Sequence, residues 1–434
     1  MKLNLKFLVA ASLASGASAF STFTPSMNGV KSTSSLNMSL EKYSDELKET
    51  AAKMVRPGYG LLACDESTGT VGTRLESIGL VNNEENRRDV SFRLELHSDI
   101  PVAQECKRIC FPIIYCHSCF SHISFTIQWR QLLFTTKDLG NHISGAILFE
   151  ETLYQDSSEG QSFVDLLNEN GIIPGIKVDS GLKPLCGGGD EETWCSGLDG
   201  LLEKCQKHYA QGARFAKWRT AVRINVAKGL PSSLAVTEAA WGLARYARIC
   251  QEAGLVPIVE PEILIDGIHD IETTAKIQEH LVTTTYKYLQ ENGVLLEGSL
   301  LKPSMTVAGV DCENKPSPAE VAAMTVRTLQ RSIPPAMPGV TFLSGGISEE
   351  DSSVYLNEIN KIERVGPWAL TFSFSRAMQS SCLKTWDGKP ENVEAAQAQL
   401  LARARANGAA STGTYEPGSE PSLQEALYVA NYVY

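Results

Sequence analysis

Eight apolar stretches recur along the chain, and each of them ends in polar or charged residues. They are rich in branched and aromatic side chains, and segments with helical patterning separate them. The stretches occupy residues 58–67, 143–151, 171–179, 212–220, 255–263, 294–303, 339–346 and 368–376. Strand followed by helix, repeated eight times, predicts an α/β fold, a single-domain (β/α)8 TIM barrel. The alternative is an open doubly wound sheet, but the glycine fingerprint usual after the first strand of such a sheet is missing from this sequence.

Charged side chains follow most of these stretches. The residues at or near the predicted strand ends are Asp65, Glu150, Lys177, Lys217, Glu260, Lys302 and Arg376. Because the carboxyl ends of all strands surround one mouth of a barrel, we expect these residues to converge in a single cavity. Residues two positions apart project to the same side of a strand, so Lys217 with Arg219, and Glu260 with Glu262, can enter the same pocket.

Lys302 ends the sixth stretch, and Pro303 follows it. An ammonium group at the end of a buried strand loses hydration, so the free amine becomes more available as a nucleophile. This environment favours a lysine that forms a Schiff base. For this residue alone, the alternative is a lysine that extends its charge to water at a strand end.

Composition limits the classes of partner. The chain has 434 residues, of which 43% are hydrophobic, and its formal net charge is -11. This content is typical of a globular protein, and an acidic chain without a basic cluster argues against a nucleic-acid partner.

The N-terminus has two consecutive segments of different composition. Residues 1–20 combine two lysines with a short apolar run and the small residues Ala17 to Ala19, which predicts a cleavable signal peptide. Residues 21–40 are rich in Ser and Thr and lack acidic residues, which predicts a transit peptide. The tandem resembles the bipartite presequences of algae with complex plastids and so predicts a plastid location, with no membrane association of the mature form. A plain secretory leader with a linker is the alternative.

Seven motifs follow one another in a fixed order near the predicted strand ends. They are ACDESTGTVGTRLESIG, GIKVD, FAKWR, VPIVEPEI, EGSLLKP, TFLSGG and WALTFSFSRA. Together they resemble the class I fructose-1,6-bisphosphate aldolase family, from about residue 41 to the C-terminus. The resemblance implies reversible cleavage of fructose 1,6-bisphosphate to dihydroxyacetone phosphate and glyceraldehyde 3-phosphate, in glycolysis, gluconeogenesis or the Calvin cycle. It also implies a homo-oligomer, commonly a tetramer.

The resemblance implies a role for each catalytic candidate. Lys302 would attack the ketose carbonyl, and the resulting iminium would stabilise the enamine left when the C3–C4 bond breaks, without a metal or other cofactor. Asp65 would take the C4 hydroxyl proton. Glu260 would act as general acid and base in carbinolamine dehydration, with Glu262 beside it, and Lys217 would supply a cation close to the Schiff base.

A bisphosphate needs two anion sites. For the first, the glycines of Ser344-Gly345-Gly346 allow close backbone approach, and Arg376 adds a guanidinium. By resemblance, the second phosphate would bind Arg74, Arg219 and Lys177.

The C-terminal segment 405–434 is interpreted as a tail that begins flexible and ends in aromatic residues. By resemblance, Tyr434 would fold over the mouth and assist proton exchange on the enamine. The alternative is a hydrophobic tail that docks on the barrel wall.

The sequence departs from the family pattern at residues 90–128, an apparent insertion. This segment holds Cys106, Cys110, Cys116 and Cys119 with His97, His117 and His122. We interpret it as a translated intron, because its first and last codons can match splice sites. A genuine surface loop and a metal site are the alternatives, although the spacing fits no standard zinc finger. Two smaller departures are Ser375, where the family commonly has glycine, and Ser180, where a lysine is common.

Two other functions remain open from the sequence. Another lysine-dependent barrel enzyme, such as transaldolase, would share the Schiff-base lysine but would not need two phosphate sites. A catalytically silent interaction protein would be expected to have lost one of the charged residues at the strand ends, whereas this chain retains them.

Overall fold

The computed structural model describes residues 34–79 and 129–430, with side chains described from residue 41. Within these residues, eight parallel strands form a closed barrel in which each strand pairs with its neighbours in sequence, and β1 pairs with β8 to close the ring. The strands are β1 Gly60–Cys64, β2 Ile143–Leu148, β3 Ile173–Lys177, β4 Phe215–Val222, β5 Val256–Ile263, β6 Leu300–Leu301, β7 Gly339–Phe342 and β8 Ala369–Phe374. The predicted (β/α)8 fold is confirmed.

One helix, Ser34–Met54, precedes the first strand, and the other helices lie between or after the strands and surround the barrel. The helices are Ser34–Met54, Thr68–Glu76, Glu150–Leu153, Phe163–Glu169, Leu201–Gln211, Ser233–Glu252, Ile271–Glu291, Pro318–Ser332, Glu349–Lys361, Arg376–Trp386 and Val393–Ala410, and residues 129–134 are also helical. A hairpin, Leu182–Pro184 with Thr193–Cys195, lies between β3 and β4. None of the helices in the described part of the chain combines the length and the apolar character that crossing a membrane requires.

Polar side chains fix where several helices begin. Ser232 Oγ, Asp270 Oδ1 and Ser348 Oγ each accept a hydrogen bond from the backbone amide three residues later, at 3.1, 2.8 and 2.9 Å. Ser317 and Glu320 form a reciprocal capping box. Each cap satisfies an amide that the helix itself cannot, and typically stabilises the helix by about 1 kcal/mol.

Alternation along the strands separates two cores. One cluster lies inside the barrel and contains Leu61, Ala63, Ile147, Phe215, Val256, Ile258 and Leu300. Helix Ser34–Met54 packs against this cluster through Leu47, Ala51 and Met54. Gly175 is required here, because a Cβ atom at this position would lie 2.2 Å from the Phe215 ring. The intervening strand residues pack outward against the helices in a larger cluster.

The sixth strand is shorter than the sequence predicts. Residues 296–298 of the predicted strand 294–303 form a 3₁₀ turn, and only Leu300–Leu301 joins the barrel. The amide of Gln251 donates to the carbonyls of Leu295 and Gly298, at 2.8 and 3.1 Å, so these residues bond to a helix and not to a neighbouring strand. Beyond the strand, Lys302 N donates to Val259 O at 2.7 Å, which fixes Lys302 against β5.

Several predicted segments lie outside the described residues. These are the signal peptide 1–20, most of the transit peptide 21–40, the insertion 90–128 with its cysteines and histidines, and Tyr434. Residues 405–410 belong to helix Val393–Ala410, so the C-terminal tail begins at Ser411 and not at residue 405.

Candidate active site

The alternation that fills the barrel with apolar side chains also delivers charged groups to its mouth. On four strands, the residue two positions after an apolar interior residue is charged, and its side chain also faces inward. Thus Asp65 follows Ala63, Lys217 follows Phe215, Glu260 follows Ile258, and Lys302 follows Leu300. The charged layer therefore lies directly above the apolar one, at the carboxyl ends of β1, β4, β5 and β6.

Asp65, Lys217, Glu260 and Lys302 form one buried chain of alternating charge. Lys217 Nζ lies 2.6 Å from Asp65 Oδ2 and 3.4 Å from Glu260 Oε2. Lys302 Nζ lies 3.1 Å from Glu260 Oε1. All four residues are at most 4% exposed. Since a buried charge is stable only when it is paired, the two lysines and the two acids depend on one another.

The pKa values of this chain follow from its charges. Burial alone would raise the pKa of Asp65, but the ammonium groups of Lys217 and Lys302 outweigh burial and hold that pKa below its usual value. Burial alone would lower the pKa of Lys217, but the carboxylates of Asp65 and Glu260 raise it well above its usual value. At neutral pH, Lys217 is therefore a fixed cation and Asp65 a carboxylate that can accept a proton.

Arg219 and Glu262 continue the charged layer one turn of the pleat higher. Both line the same cavity as Lys302, and Arg219 Nε lies 2.5 Å from Glu262 Oε2. Lys177 is in register with Lys217 on the neighbouring strand, but its ammonium group lies 2.7 Å from Asp179 Oδ1, and it is not among the residues that line the cavity.

The loops after β7 and β8 form the opposite wall. Ser344, Gly345 and Arg376 line the cavity. Gly345 and Gly346 have φ angles of +58° and +95°, which favour glycine. Arg376 begins helix Arg376–Trp386, whose N-terminus is suited to an anion because its first amides and the helix dipole point towards the mouth.

Glu66 lies next to Asp65 but points the other way, into the layer between strands and helices. It is buried, and its carboxylate accepts hydrogen bonds from Arg74, from Arg130 at 2.9 Å and from Ser375 Oγ at 2.6 Å. Burial would raise the pKa of Glu66, but the two guanidinium groups and the Ser375 hydroxyl lower it to about 2. Sequence reasoning missed this residue, because its partners come from three separate parts of the chain.

The C-terminal segment is held by two consecutive buried acids, Glu349 and Glu350, which we call the tail anchor. Glu349 Oε2 accepts from Leu423 N at 2.9 Å. Glu350 accepts from Tyr415 OH, from Gly418 N at 2.9 Å and from Ser422 Oγ at 2.7 Å. These bonds fix the chain as it returns to the mouth.

Beyond the tail anchor, residues of the C-terminal segment enter the cavity. Tyr428 and Val429 line it, and Tyr428 OH donates to Asp266 Oδ1 at 2.8 Å. The backbone carbonyl of Leu427 accepts a hydrogen bond from the Arg376 guanidinium. The tail therefore contacts the wall that carries the loops after β7 and β8.

The structure does not bring every predicted residue to the mouth. Glu150 was expected in the cavity, and this expectation is wrong: β2 ends at Leu148, and the half-exposed Glu150 side chain pairs with Lys204 at 2.8 Å on the outer surface. Arg74 and Gly346 adjoin the cavity without lining it, since Arg74 binds Glu66 and Gly346 lies beneath Tyr428.

Among residues 34–79 and 129–430, no group of three His, Cys, Asp or Glu side chains has an arrangement that could hold a metal ion. The cysteines and histidines for which a metal site was considered belong to the segment 90–128.

A buried lysine paired with acids, beside a glycine-containing loop and a helix N-terminus at the mouth of a (β/α)8 barrel, is an arrangement suited to amine catalysis on an anionic substrate and defines a barrel enzyme of that class. The family model for class I fructose-bisphosphate aldolase matches residues 46–105 and 125–434, leaving out part of the predicted insertion. The chain belongs to this family, and it is an enzyme of this class, a carbon–carbon lyase. The transaldolase alternative is thereby set aside.

Individual relatives agree. The chain is 48% identical over 393 residues to the chloroplastic fructose-bisphosphate aldolase 3 of Arabidopsis thaliana, covering 90% of this chain and 89% of that protein. It is 50% identical to fructose-bisphosphate aldolase 1 of Toxoplasma gondii, over 91% of this chain and 98% of the relative. The structure resembles the aldolase of Plasmodium falciparum in complex with TRAP and a small-molecule inhibitor, with 49% identity, a TM-score of 0.76 and coverage of 87% and 97%.

Proposed function

We propose that this chain cleaves and re-forms fructose 1,6-bisphosphate through a Schiff base on Lys302. The observation that carries the proposal is the 3.1 Å distance between Lys302 Nζ and Glu260 Oε1 inside the buried charge chain. An amine attacking a ketone needs an acid beside it, because the carbinolamine must lose its hydroxyl group as water. Glu260 accepts the proton that the Lys302 nitrogen loses in forming the carbinolamine and donates it to that hydroxyl, which leaves as water.

Asp65 completes the cleavage. Its lowered pKa keeps it ionised, so it accepts the C4 hydroxyl proton while the electrons of the C3–C4 bond flow into the iminium. The aldehyde product is released, and the enamine remains on Lys302. Positioned acid and base groups of this kind each contribute about 10²- to 10⁴-fold to the rate.

Lys217 serves as the fixed cation of the site. Its ammonium group lies between the two acids and forms an ion pair with each, at 2.6 Å from Asp65 and 3.4 Å from Glu260, which holds both carboxylates close to Lys302. With its raised pKa, Lys217 is unsuited to attack a carbonyl, which leaves Lys302 as the nucleophile. Glu262 supports the site by holding Arg219.

Two phosphates are accommodated on opposite sides. The phosphate next to the ketose carbonyl would bind Ser344, Gly345, Gly346 and the helix N-terminus at Arg376, because Ser344, Gly345 and Arg376 line the same cavity as Lys302. The second phosphate would bind Arg74, Arg219 and Lys177. No metal takes part in this scheme, since the iminium is the electron sink.

We further propose that the mature chain acts in a plastid, as a homo-oligomer and with phosphorylated sugars as its substrates. The predicted presequence and the chloroplastic name of the Arabidopsis relative support the location. A tetramer is the expectation from the family.

Borohydride trapping tests the chemistry. Protein beginning near Ser39, made with and without residues 90–128, is incubated with dihydroxyacetone phosphate and reduced. We expect a covalent adduct on the peptide that contains Lys302, none in Lys302→Met, and an undiminished adduct in the control Lys276→Met, whose side chain is exposed on a helix. Activity that is abolished by EDTA, with no adduct in any form of the protein, would overturn the proposal.

A further inference from the structure

We propose that Ser375 is a positioning residue for substrate specificity: its hydroxyl holds Arg74 in place for the second phosphate and thereby favours bisphosphates over monophosphates. The inference rests on the two phosphate sites proposed above. It concerns a position at which this chain departs from the glycine that the resemblance leads one to expect.

Ser375 lies where the charged layer and the Glu66 network meet. It follows Thr371 and Ser373 at two-residue spacing at the end of β8, lines the cavity, and directly precedes Arg376. Its Oγ donates to Glu66 Oε1 at 2.6 Å and lies 3.2 Å from Arg74 Nη2, which donates to it. One hydroxyl therefore joins the end of β8 to both the buried acid and the arginine.

Arg74 depends on this junction for its orientation. It approaches from helix Thr68–Glu76 and pairs with Glu66 through Nη1, while Nη2 contacts Ser375. Arg74 is outside the cavity lining, whereas Ser375 is part of it, so the contact between them fixes the guanidinium at the cavity edge. A guanidinium held at two nitrogen atoms is positioned as well as charged, which matters for binding phosphate.

The hydrogen bond to Glu66 fixes the orientation of the Ser375 hydroxyl. The carboxylate also binds Arg130 at 2.9 Å and Gln379 Nε2 at 3.2 Å, so it is fixed independently of Ser375. Because the Ser375 proton points at Glu66, the lone pairs of Oγ are presented to Arg74. Glycine at this position would lack both bonds and the weaker one that Gln379 Nε2 donates to Oγ at 3.4 Å, leaving a gap between β8 and Arg74.

The two phosphate sites should respond differently. The site formed by Ser344, Gly345 and the amide end of helix Arg376–Trp386 uses backbone groups that do not involve the Ser375 hydroxyl. The second site uses Arg74. Loss of the hydroxyl is therefore expected to weaken the binding of a ketose carrying two phosphates, but not of one carrying only the phosphate next to its carbonyl.

Steady-state kinetics on Ser375→Ala, Ser375→Gly and Ser375→Thr test this, with fructose 1,6-bisphosphate and fructose 1-phosphate as substrates. We expect the Ala and Gly variants to raise KM for the bisphosphate about tenfold, as for a lost hydrogen bond to a charged group, with KM for fructose 1-phosphate within about twofold and kcat little changed. Ser375→Thr keeps a hydroxyl and should restore the bisphosphate KM. Arg74→Ala should show the same selective loss, and Arg74→Ala with Ser375→Ala should add little to it.

Four outcomes overturn the inference: equal losses for both substrates, additive losses in the double variant, a lower bisphosphate KM in Ser375→Gly, or unchanged selectivity in every variant. Thermal unfolding and borohydride trapping accompany each variant. An adduct on Lys302 in all variants, with no change in selectivity, would reject the role of Ser375 while leaving the proposed chemistry intact. Absence of the adduct in the unaltered protein would instead reject the proposed chemistry.

Discussion

The charge chain at the mouth and the tail anchor both bury acids, but they satisfy them by opposite means. Asp65 and Glu260 face the ammonium groups of Lys217 and Lys302, which are themselves ionisable. Glu349 and Glu350 accept hydrogen bonds from backbone amides and hydroxyls and lie near the buried Arg403 guanidinium, and none of these groups changes its charge at neutral pH. An acid paired with an ionisable lysine can exchange protons during a reaction, whereas an acid held by groups of fixed charge serves as an attachment point. Burial of a carboxylate is therefore not by itself a sign of catalysis.

The two acids of the tail anchor differ from each other as well. Burial raises the pKa of Glu349 and outweighs the amides of Ser381 and Leu423. Burial acts on Glu350 in the same direction, but the Ser422 hydroxyl and the Gly418 amide outweigh it, so the pKa of Glu350 is lowered. Neighbouring residues on one helix thus contribute to stability with opposite dependence on pH.

The largest effect is expected from Glu260→Gln, which removes the carboxylate that exchanges protons at the barrel mouth while keeping the shape of the side chain. We expect kcat to fall by about 10²- to 10⁴-fold, the usual contribution of a general acid or base. The rate of borohydride-trapped adduct formation should fall in parallel. Glu350→Gln serves as the matched control on the tail anchor and should leave the rate of adduct formation close to that of the unaltered protein. Equal loss of trapping in both variants would remove the distinction between the two regions.

A smaller effect is expected from Glu350→Ala, which leaves Tyr415 OH, Gly418 N and Ser422 Oγ without their shared acceptor. Each buried group left unsatisfied costs about 1–3 kcal/mol, so residues 411–430 should detach before the barrel unfolds. Limited proteolysis should cleave this segment earlier than in the unaltered chain, while the Lys302 adduct still forms. Glu416→Ala removes an exposed acid of the same segment and is the control. Unchanged proteolysis in Glu350→Ala would show that the anchor does not hold the segment.

The smallest effect concerns pH and sharpens the contrast within the anchor. A group whose pKa is lower in the folded state stabilises the fold at pH values above its unfolded-state pKa, which is about 4.3 for glutamate. This stability is lost as the pH falls. The destabilisation caused by Glu350→Gln should therefore shrink from pH 7 to below pH 4. A raised pKa stabilises at low pH, and this stability is lost as the pH rises. The free energy of unfolding of Glu349→Gln, relative to that of the parent protein, should therefore increase as the pH rises from about 4. Urea unfolding across this range measures both, and parallel curves for the two variants would contradict the assignment.

The barrel and the charge chain could be predicted from the sequence because both follow from local periodicity. Apolar and charged positions alternate along β4 and β5, so the residues that enter the mouth can be read from a single strand. Glu150 was misplaced because β2 ends at Leu148, three residues before the end of the predicted stretch 143–151, and a helix begins at Glu150. Residues 296–298 were misplaced because their partner is Gln251 on a distant helix.

The remaining features depend on contacts between distant parts of the chain. Glu66 and Ser375 are 309 positions apart in sequence, and neither carries a local signal that it will bond to the other. Ser348-Glu349-Glu350 resembles an ordinary helix start, and no periodicity shows that its acids face the C-terminal segment. Such features follow from ring closure and from helix packing, which a single sequence does not display.

Pairing of the first strand with the eighth has a consequence for biosynthesis. A nascent chain that has emerged only as far as β7 exposes two unpaired sheet edges, each able to recruit a strand from another molecule. By that point more than 270 residues have been synthesised after Asp65, and the segment that completes its cavity has not yet emerged. The active site is therefore completed in one late step, the pairing of β1 with β8. Before that step the exposed sheet edges make the chain most dependent on a chaperone.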